Sequence, residues 1–205
     1  MYALIAEDLG KQFGSRKVFS GISFELETGQ SIAITGRNGT GKSTLLMLLL
    51  GIHHPTRGQA RYARDNEYLD DRIIRARTSL VSPYLNLYDQ LTGEENLAFF
   101  ATLAGISLTG KKADELLARV GLEGRGVDRV GAYSSGMKQR LKYAVALLKD
   151  PAYLFLDEPS SNLDTDGKRL VHDLIEERRR ESVVIIATNE EEEYSLADGT
   201  IRLGR

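Results

Sequence analysis

The stretch Gly36-Arg37-Asn38-Gly39-Thr40-Gly41-Lys42-Ser43-Thr44 constrains this chain more than any other. It fits the spacing G-x-x-x-x-G-K-[ST], a phosphate-binding loop that works only between a strand and a helix. Gly36, Gly39 and Gly41 let the backbone turn tightly and bring N–H groups close to phosphate oxygens. Lys42 supplies a mobile ammonium for β- and γ-phosphates. Ser43 offers a hydroxyl to Mg²⁺, and a helix opening after Gly41 points its positive end at the anion. The flanks agree: Gln30–Thr35 (QSIAIT) reads as a short buried strand, and Thr44–Leu50 (TLLMLLL) as a buried helix stopped by Gly51.

Composition narrows the class of partner. Lys and Arg total 27 against 29 Asp and Glu, a net charge of −2, which gives no global pull toward nucleic acid or an anionic membrane. Cysteine is absent, so neither disulfides nor thiol chemistry is available. The start, MYALIAEDLGK, does not read as a signal peptide. The longest apolar run, Leu45–Leu50, is far short of the roughly 20 residues of a membrane span. A soluble chain is expected, with any membrane role supplied by a partner.

Along the chain, Tyr2–Asp8 reads as a strand, Gly10–Lys17 as a turn and Val18–Leu26 as a second strand. His53–Gly58 reads as a loop, Arg61–Arg77 as a charge-dense exposed stretch and Thr78–Val81 as a short strand. Thr92 and Glu95 fit a capping box that opens a helix over Glu94–Ala104. Further helices are expected at about Lys111–Val120 and Gly136–Lys149, the latter with Met137, Leu141, Ala144, Val145 and Leu148 on one face. Tyr153–Leu156 and Val183–Thr188 are apolar strands around a helix at Lys168–Arg180. The run Glu176–Glu181 (EERRRE) reads as a solvated helix face. Strands alternating with helices imply an α/β fold, a mainly parallel sheet covered on both faces.

Tyr153–Leu156 delivers Asp157 and Glu158 at its end. Asp157 is placed to hold Mg²⁺, directly or through water. Glu158 is placed to polarise a water for attack on a γ-phosphate. Just before this strand, and about a hundred residues after the glycine-rich loop, stands Tyr133-Ser134-Ser135-Gly136-Met137-Lys138-Gln139-Arg140. It resembles the signature motif of ATP-binding cassette (ABC) proteins, usually L-S-G-G-Q with a following Q-R. Ser134 and Gly136 match; Tyr133, Ser135 and Met137 are substitutions. Small residues at a helix N-terminus still expose N–H groups and a hydroxyl to an anion.

The resemblance extends over essentially the whole chain. Phe13 stands where the family has an aromatic that stacks on adenine, and Ser160–Asp164 looks like the D-loop, with Asp164 at its acidic position. The resemblance implies one domain over residues 1–205: a P-loop core with an N-terminal antiparallel β subdomain (1–82 and 150–205), and an inserted helical subdomain at about 83–149. It implies an ATPase using ATP and Mg²⁺, working as a nucleotide-sandwiched dimer with itself or a paralogous subunit. The Ser134–Met137 segment of one subunit then completes the phosphate loop of the other.

Two positions depart from the family's pattern. Where it usually has a glutamine entering the helical subdomain, this chain has Pro83; Ser82, Asn86 and Gln90 are the neighbours able to offer a polar group. Where it commonly has a histidine touching the γ-phosphate, this chain has Asn189, which can donate one hydrogen bond but cannot become cationic. Asn189 is therefore expected to keep γ-phosphate sensing with a weaker electrostatic component.

The leading expectation is the ATP-hydrolysing subunit of a membrane transporter, peripheral at the cytoplasmic face of the cell membrane and bound to a separate integral-membrane permease near Pro83 and the helical insert. The short chain is similar to the small exporter-type subunits, including the haem-exporter group of cytochrome c maturation. The alternatives are a soluble cassette ATPase acting on DNA or the ribosome, and an ATP-dependent scaffold subunit with weak hydrolysis. Nucleic acid is not expected as a partner.

Overall fold

The computed structural model describes residues 1–204. In chain order the elements are β1 (Tyr2–Phe13), β2 (Arg16–Glu27), β3 (Ser31–Thr35), α1 (Lys42–Leu49), β4 (Arg57–Arg64), β5 (Glu67–Tyr68), α2 (Asp71–Arg77), β6 (Thr78–Val81), α3 (Gly93–Leu103), α4 (Gly110–Arg119), α5 (Ser135–Leu147), β7 (Tyr153–Asp157), α6 (Thr165–Arg179), β8 (Val183–Thr188), α7 (Glu191–Tyr194) and β9 (Gly199–Arg202). A five-stranded sheet has the order β6-β7-β8-β3-β9, with every pairing parallel. A four-stranded antiparallel sheet has the order β2-β1-β4-β5.

Every residue of β3, β7 and β8 is buried, as uninterrupted apolar strands between two covered faces require. The two-residue period divides them between two cores. Tyr153, Phe155, Val183 and Ile185 pack with Leu4, Leu9, Leu45 and Leu49 under the antiparallel sheet. Leu154, Leu156, Val184 and Ile186 pack on the other face with Leu97, Leu116, Leu117 and Leu141 of helices α3, α4 and α5. The Tyr153 hydroxyl reaches Ala3 O and Ala63 O at 3.0 and 2.9 Å, tying the two sheets together.

The capping box at Thr92 forms with both of its hydrogen bonds. Three readings change. The stretch read as loop and exposed charge contains β4, with Tyr62 and Ala63 buried. Its charges stand on the outer face, where Arg61 meets Glu7 and the Tyr68 hydroxyl, and they hide a half-buried strand. The turn after β1 is only Gly14-Ser15, because β1 continues to Phe13. Within EERRRE, Arg178 is 7% exposed, since it follows Val171, Leu174 and Ile175 on the inward stripe of α6. Its guanidinium donates to Asp150, Glu181, Pro151 O and Ser182 Oγ. Residues 176, 177, 179, 180 and 181 are half-buried or exposed, as expected.

On α5, Leu141 and Ala144 are buried and Met137, Val145 and Leu148 partly so, but Gln139, Tyr143, Ala146 and Leu147 are buried as well. The helix is covered on more than one side because it lies between β6 and helices α3, α4 and α6. Its C-terminal half is stitched to β6: Ser79 Oγ donates to Ala146 O at 2.7 Å, and Lys149 Nζ donates to Thr78 O at 3.3 Å.

Candidate active site

β3 runs directly into the glycine-rich loop. Gly36 has φ 146°, and a Cβ there would lie 2.6 Å from Leu203 O and 2.7 Å from Thr40 Oγ1, so only glycine fits. Thr40 closes the loop, its N–H and hydroxyl donating to Arg37 O at 3.2 and 2.8 Å. Gly41, at φ 107°, is the N-cap of α1, so the helix's free N–H groups begin inside the loop. An ordinary glycine turn does not produce this strand–loop–helix geometry.

Lys42 is the electrostatic hub. It is 6% exposed, and its ammonium donates to Gly36 O at 3.0 Å and to Asn189 Oδ1 at 2.6 Å. Glu158 Oε1 lies 3.6 Å away. Asn189 turns its other end to Asn38, Nδ2 donating to Oδ1 at 2.6 Å. The Ser43 hydroxyl donates to Asp157 Oδ1 at 3.3 Å. Burial raises the Asp157 carboxyl's pKa, opposed by Ser43 and Lys42. Burial also raises that of Glu158, opposed by Lys42 and reinforced by Glu193 and Asp157. Glu158 stands at φ +50°, a strained backbone for this residue.

One open cleft of about 1020 Å³ gathers Phe13, Asn38, Gly39, Gly41, Lys42, Ser43, Thr44, Asp157, Glu158 and Asn189. Gly36, Arg37 and Thr40 build the loop behind it. Phe13 is half-exposed at the mouth, edge-on to His53 and beneath the Lys11 ammonium. Pro83 lines the cleft too, joined by Tyr84. Asn86 and Gln90 do not line it, nor does Ser82, whose buried hydroxyl accepts from Tyr84 N.

The signature residues lie elsewhere. Ser134, Ser135, Gly136 and Met137 do not line this cleft among the described residues. Ser134 N-caps α5, its hydroxyl accepting from Met137 N–H at 3.2 Å, and Ser134 and Ser135 are exposed. Asp164 likewise stays outside the cleft and caps α6 through Gly167 N–H at 2.8 Å. Five cleft residues escaped sequence reasoning: Arg16, Val18, Tyr84, Lys168 and Glu190. Lys168 pairs with Glu190 at 2.7 Å, a contact between α6 and the N-cap of α7 that spacing does not reveal.

The donor set suits a polyphosphate with a hard cation. A glycine cradle and one ammonium face a hydroxyl–carboxylate pair, and oxygen donors of this kind match Mg²⁺. Beside them, a carboxylate of raised proton affinity is fit to act as a base.

Comparison with known proteins agrees. Residues 19–161 match the family model described as ABC transporter. The bacitracin transport ATP-binding protein BcrA of Bacillus licheniformis is 38% identical over 175 residues, covering 83% of this chain and 57% of the relative. The Nod factor export ATP-binding protein I of Paraburkholderia xenovorans is 36% identical, covering 82% of this chain and 56% of the relative. The chain thus spans a little over half the length of both relatives. Its fold is that of the dimeric, post-hydrolysis ATP-binding cassette MJ0796 bound to ADP and Pi, with a TM-score of 0.83 at 24% identity, covering 98% of this chain and 94% of that one. With more than half of its residues inside the family match, and a phosphate loop and acidic strand end meeting in one cleft, the chain belongs to the ABC transporter family.

Proposed function

We propose that this chain is the ATP-binding and ATP-hydrolysing unit of an ABC membrane transporter, driven by nucleotide-dependent closure of two such units. The observation that carries this reading is the convergence of Lys42, Ser43, Asp157 and Glu158 in one cleft, with Ser134–Met137 outside it and Ser134 and Ser135 exposed. The loop N–H groups and Lys42 bind the phosphates, and Phe13 offers its ring to the adenine. Ser43 and Asp157 hold Mg²⁺, which neutralises phosphate charge when bound. Glu158 accepts the proton of the attacking water. The partner unit, a second copy or a paralogue, presents its Ser134–Met137 segment to the γ-phosphate. Asp164 contributes at that contact by holding the N-terminus of α6. On this reading residues 1–82 and 150–205 form the core, and about 83–149 the helical subdomain.

Asn189 enters this scheme as the acceptor that holds Lys42. Asn189→His is expected to change ATP turnover and make it pH-dependent near neutrality, because imidazole titrates there. Equal rates at every pH would remove any special role for the position.

Among the described residues no helix is long and apolar enough to cross a membrane. A groove of about 800 Å³ between the core and the helical insert offers a place for the permease, at the cytoplasmic face of the cell membrane. Leu85, Phe100, Leu103 and Ala104 line it together with Ile52 and Ile74, and Leu103 is 69% exposed. An apolar groove of this kind suits a helical segment of a partner. Leu103→Glu is expected to abolish copurification with an integral-membrane protein and to leave basal ATP turnover within about two-fold, since it is remote from the phosphate loop. Copurification with nucleic acid in place of a membrane protein would support a soluble ATPase. Pro83 and Asn189 are the observations that favour the scaffold reading. A phosphate-release assay on the chain with its permease separates it from the motor: the motor releases phosphate at each cycle.

A further inference from the structure

Glu193 is 1% exposed, lies on α7 outside the cleft and takes no part in binding phosphate. Its Oε1 accepts from the Ser160 N–H at 2.8 Å. Its buried Oε2 has no hydrogen-bond partner among the described residues. Leaving one oxygen of a buried carboxyl group without a partner costs free energy, so packing alone does not account for it. What it holds does.

Ser160 lies within the turn that begins at Glu158, whose backbone stands at φ +50°, and that Ser161 N–H closes on Glu158 O at 3.1 Å. The same turn is gripped from α5. There Pro159 O accepts from Gln139 Nε2 at 3.0 Å and from the Tyr143 hydroxyl at 3.1 Å. Glu193 supplies a second grip from α7. The segment Asn189–Glu193 therefore touches the site at both ends: Asn189 accepts from Lys42, and Glu193 holds the Glu158–Ser160 turn. Between them Glu190 pairs with Lys168.

We infer that Glu193 is a positioning residue for hydrolysis. It fixes the turn that aims Glu158, and it links that turn to Asn189, the group Lys42 must leave when it moves to a phosphate. The inference rests on the reading of Glu158 as the base.

The test measures kcat and KM for ATP, with affinity for a non-hydrolysable ATP analogue, in the full chain. Glu193→Leu removes the acceptor and is expected to lower kcat about ten-fold or more with KM and analogue affinity within about two-fold, because small misplacement of a catalytic group has effects of this size. Glu193→Gln keeps an acceptor oxygen and is expected to restore kcat to within about three-fold of the natural protein. Asn189→Ala and Glu193→Leu are expected to be non-additive in kcat. Should the leucine variant not fold, Glu193→Asp, one methylene shorter, is expected to show the same low kcat at unchanged KM. Natural kcat in Glu193→Leu or Glu193→Asp, or a glutamine variant as poor as the leucine one, overturns the inference. A parallel Glu158→Gln variant separates the two ideas: if it turns over normally, the base assignment fails first; if it is inactive while Glu193→Leu is not, only the role of Glu193 falls.

Discussion

Glu158→Gln lowers ATP turnover by about 10²- to 10⁴-fold, the range that general-base catalysis contributes, and leaves an ATP-bound dimer that does not reopen. Glutamine keeps the shape of Glu158 and an oxygen for Lys42, which lies 3.6 Å away. It cannot take a proton from water, so binding and closure survive while hydrolysis stops. Burial raises the pKa of the Glu158 carboxyl, with Glu193 and Asp157 adding to the effect and Lys42 opposing it. The base must be ionised to work. Turnover of the natural protein therefore falls on acidification at a higher pH than an ordinary carboxylate would give, and activity is retained on the alkaline side of that limb. Steady-state turnover with size-exclusion chromatography in ATP and Mg²⁺ checks both parts. Normal turnover by the glutamine variant would show that another group is the base.

Lys42→Ala weakens ATP binding by about 1.5–3 kcal/mol, the worth of a hydrogen bond to a charged group, or more than ten-fold in affinity, and it removes turnover. Lys42 faces Gly36 O, Asn189 Oδ1 and Glu158 with one ammonium. Its loss takes away the phosphate's cation and leaves Asp157 and Glu158 without the positive charge that opposes their raised pKa values. Arginine is not expected to rescue, because a planar fork does not replace a point charge in a loop this tight. Titration with a fluorescent ATP analogue measures the affinity. Unchanged binding in the alanine variant would mean that the loop's N–H groups suffice.

The parts of the site legible in the sequence are those whose chemistry is local. The phosphate loop is read from glycine spacing because Gly36 and Gly41 need backbone angles that other residues avoid. Asp157 is read because it is the first carboxylate after four apolar residues, and it closes β7. Thr92 and Glu95 are read because a capping box spans only one helical turn.

Features that depend on residues distant in sequence were hidden. The inward role of Arg178 is set by Asp150, Pro151 and Ser182. Strand β4 looks like loop because its outward charges outnumber its two buried residues, and pairing with β1 and β5 makes it a strand. The short β9 is specified by pairing with β3, not by its own pattern. Glu193 sits in a run of four acidic residues, and nothing in the run marks the one that turns inward to Ser160.

The central claim is that the cleft at Gly36–Thr44 is half of a site. Turnover per chain measured across a dilution series tests it most directly, with mass measured by sedimentation at each concentration. The account predicts turnover that is nearly absent where the protein is monomeric, rises with concentration and levels off where ATP holds it as a dimer. Strong turnover by a monomer, unchanged on dilution, would contradict it.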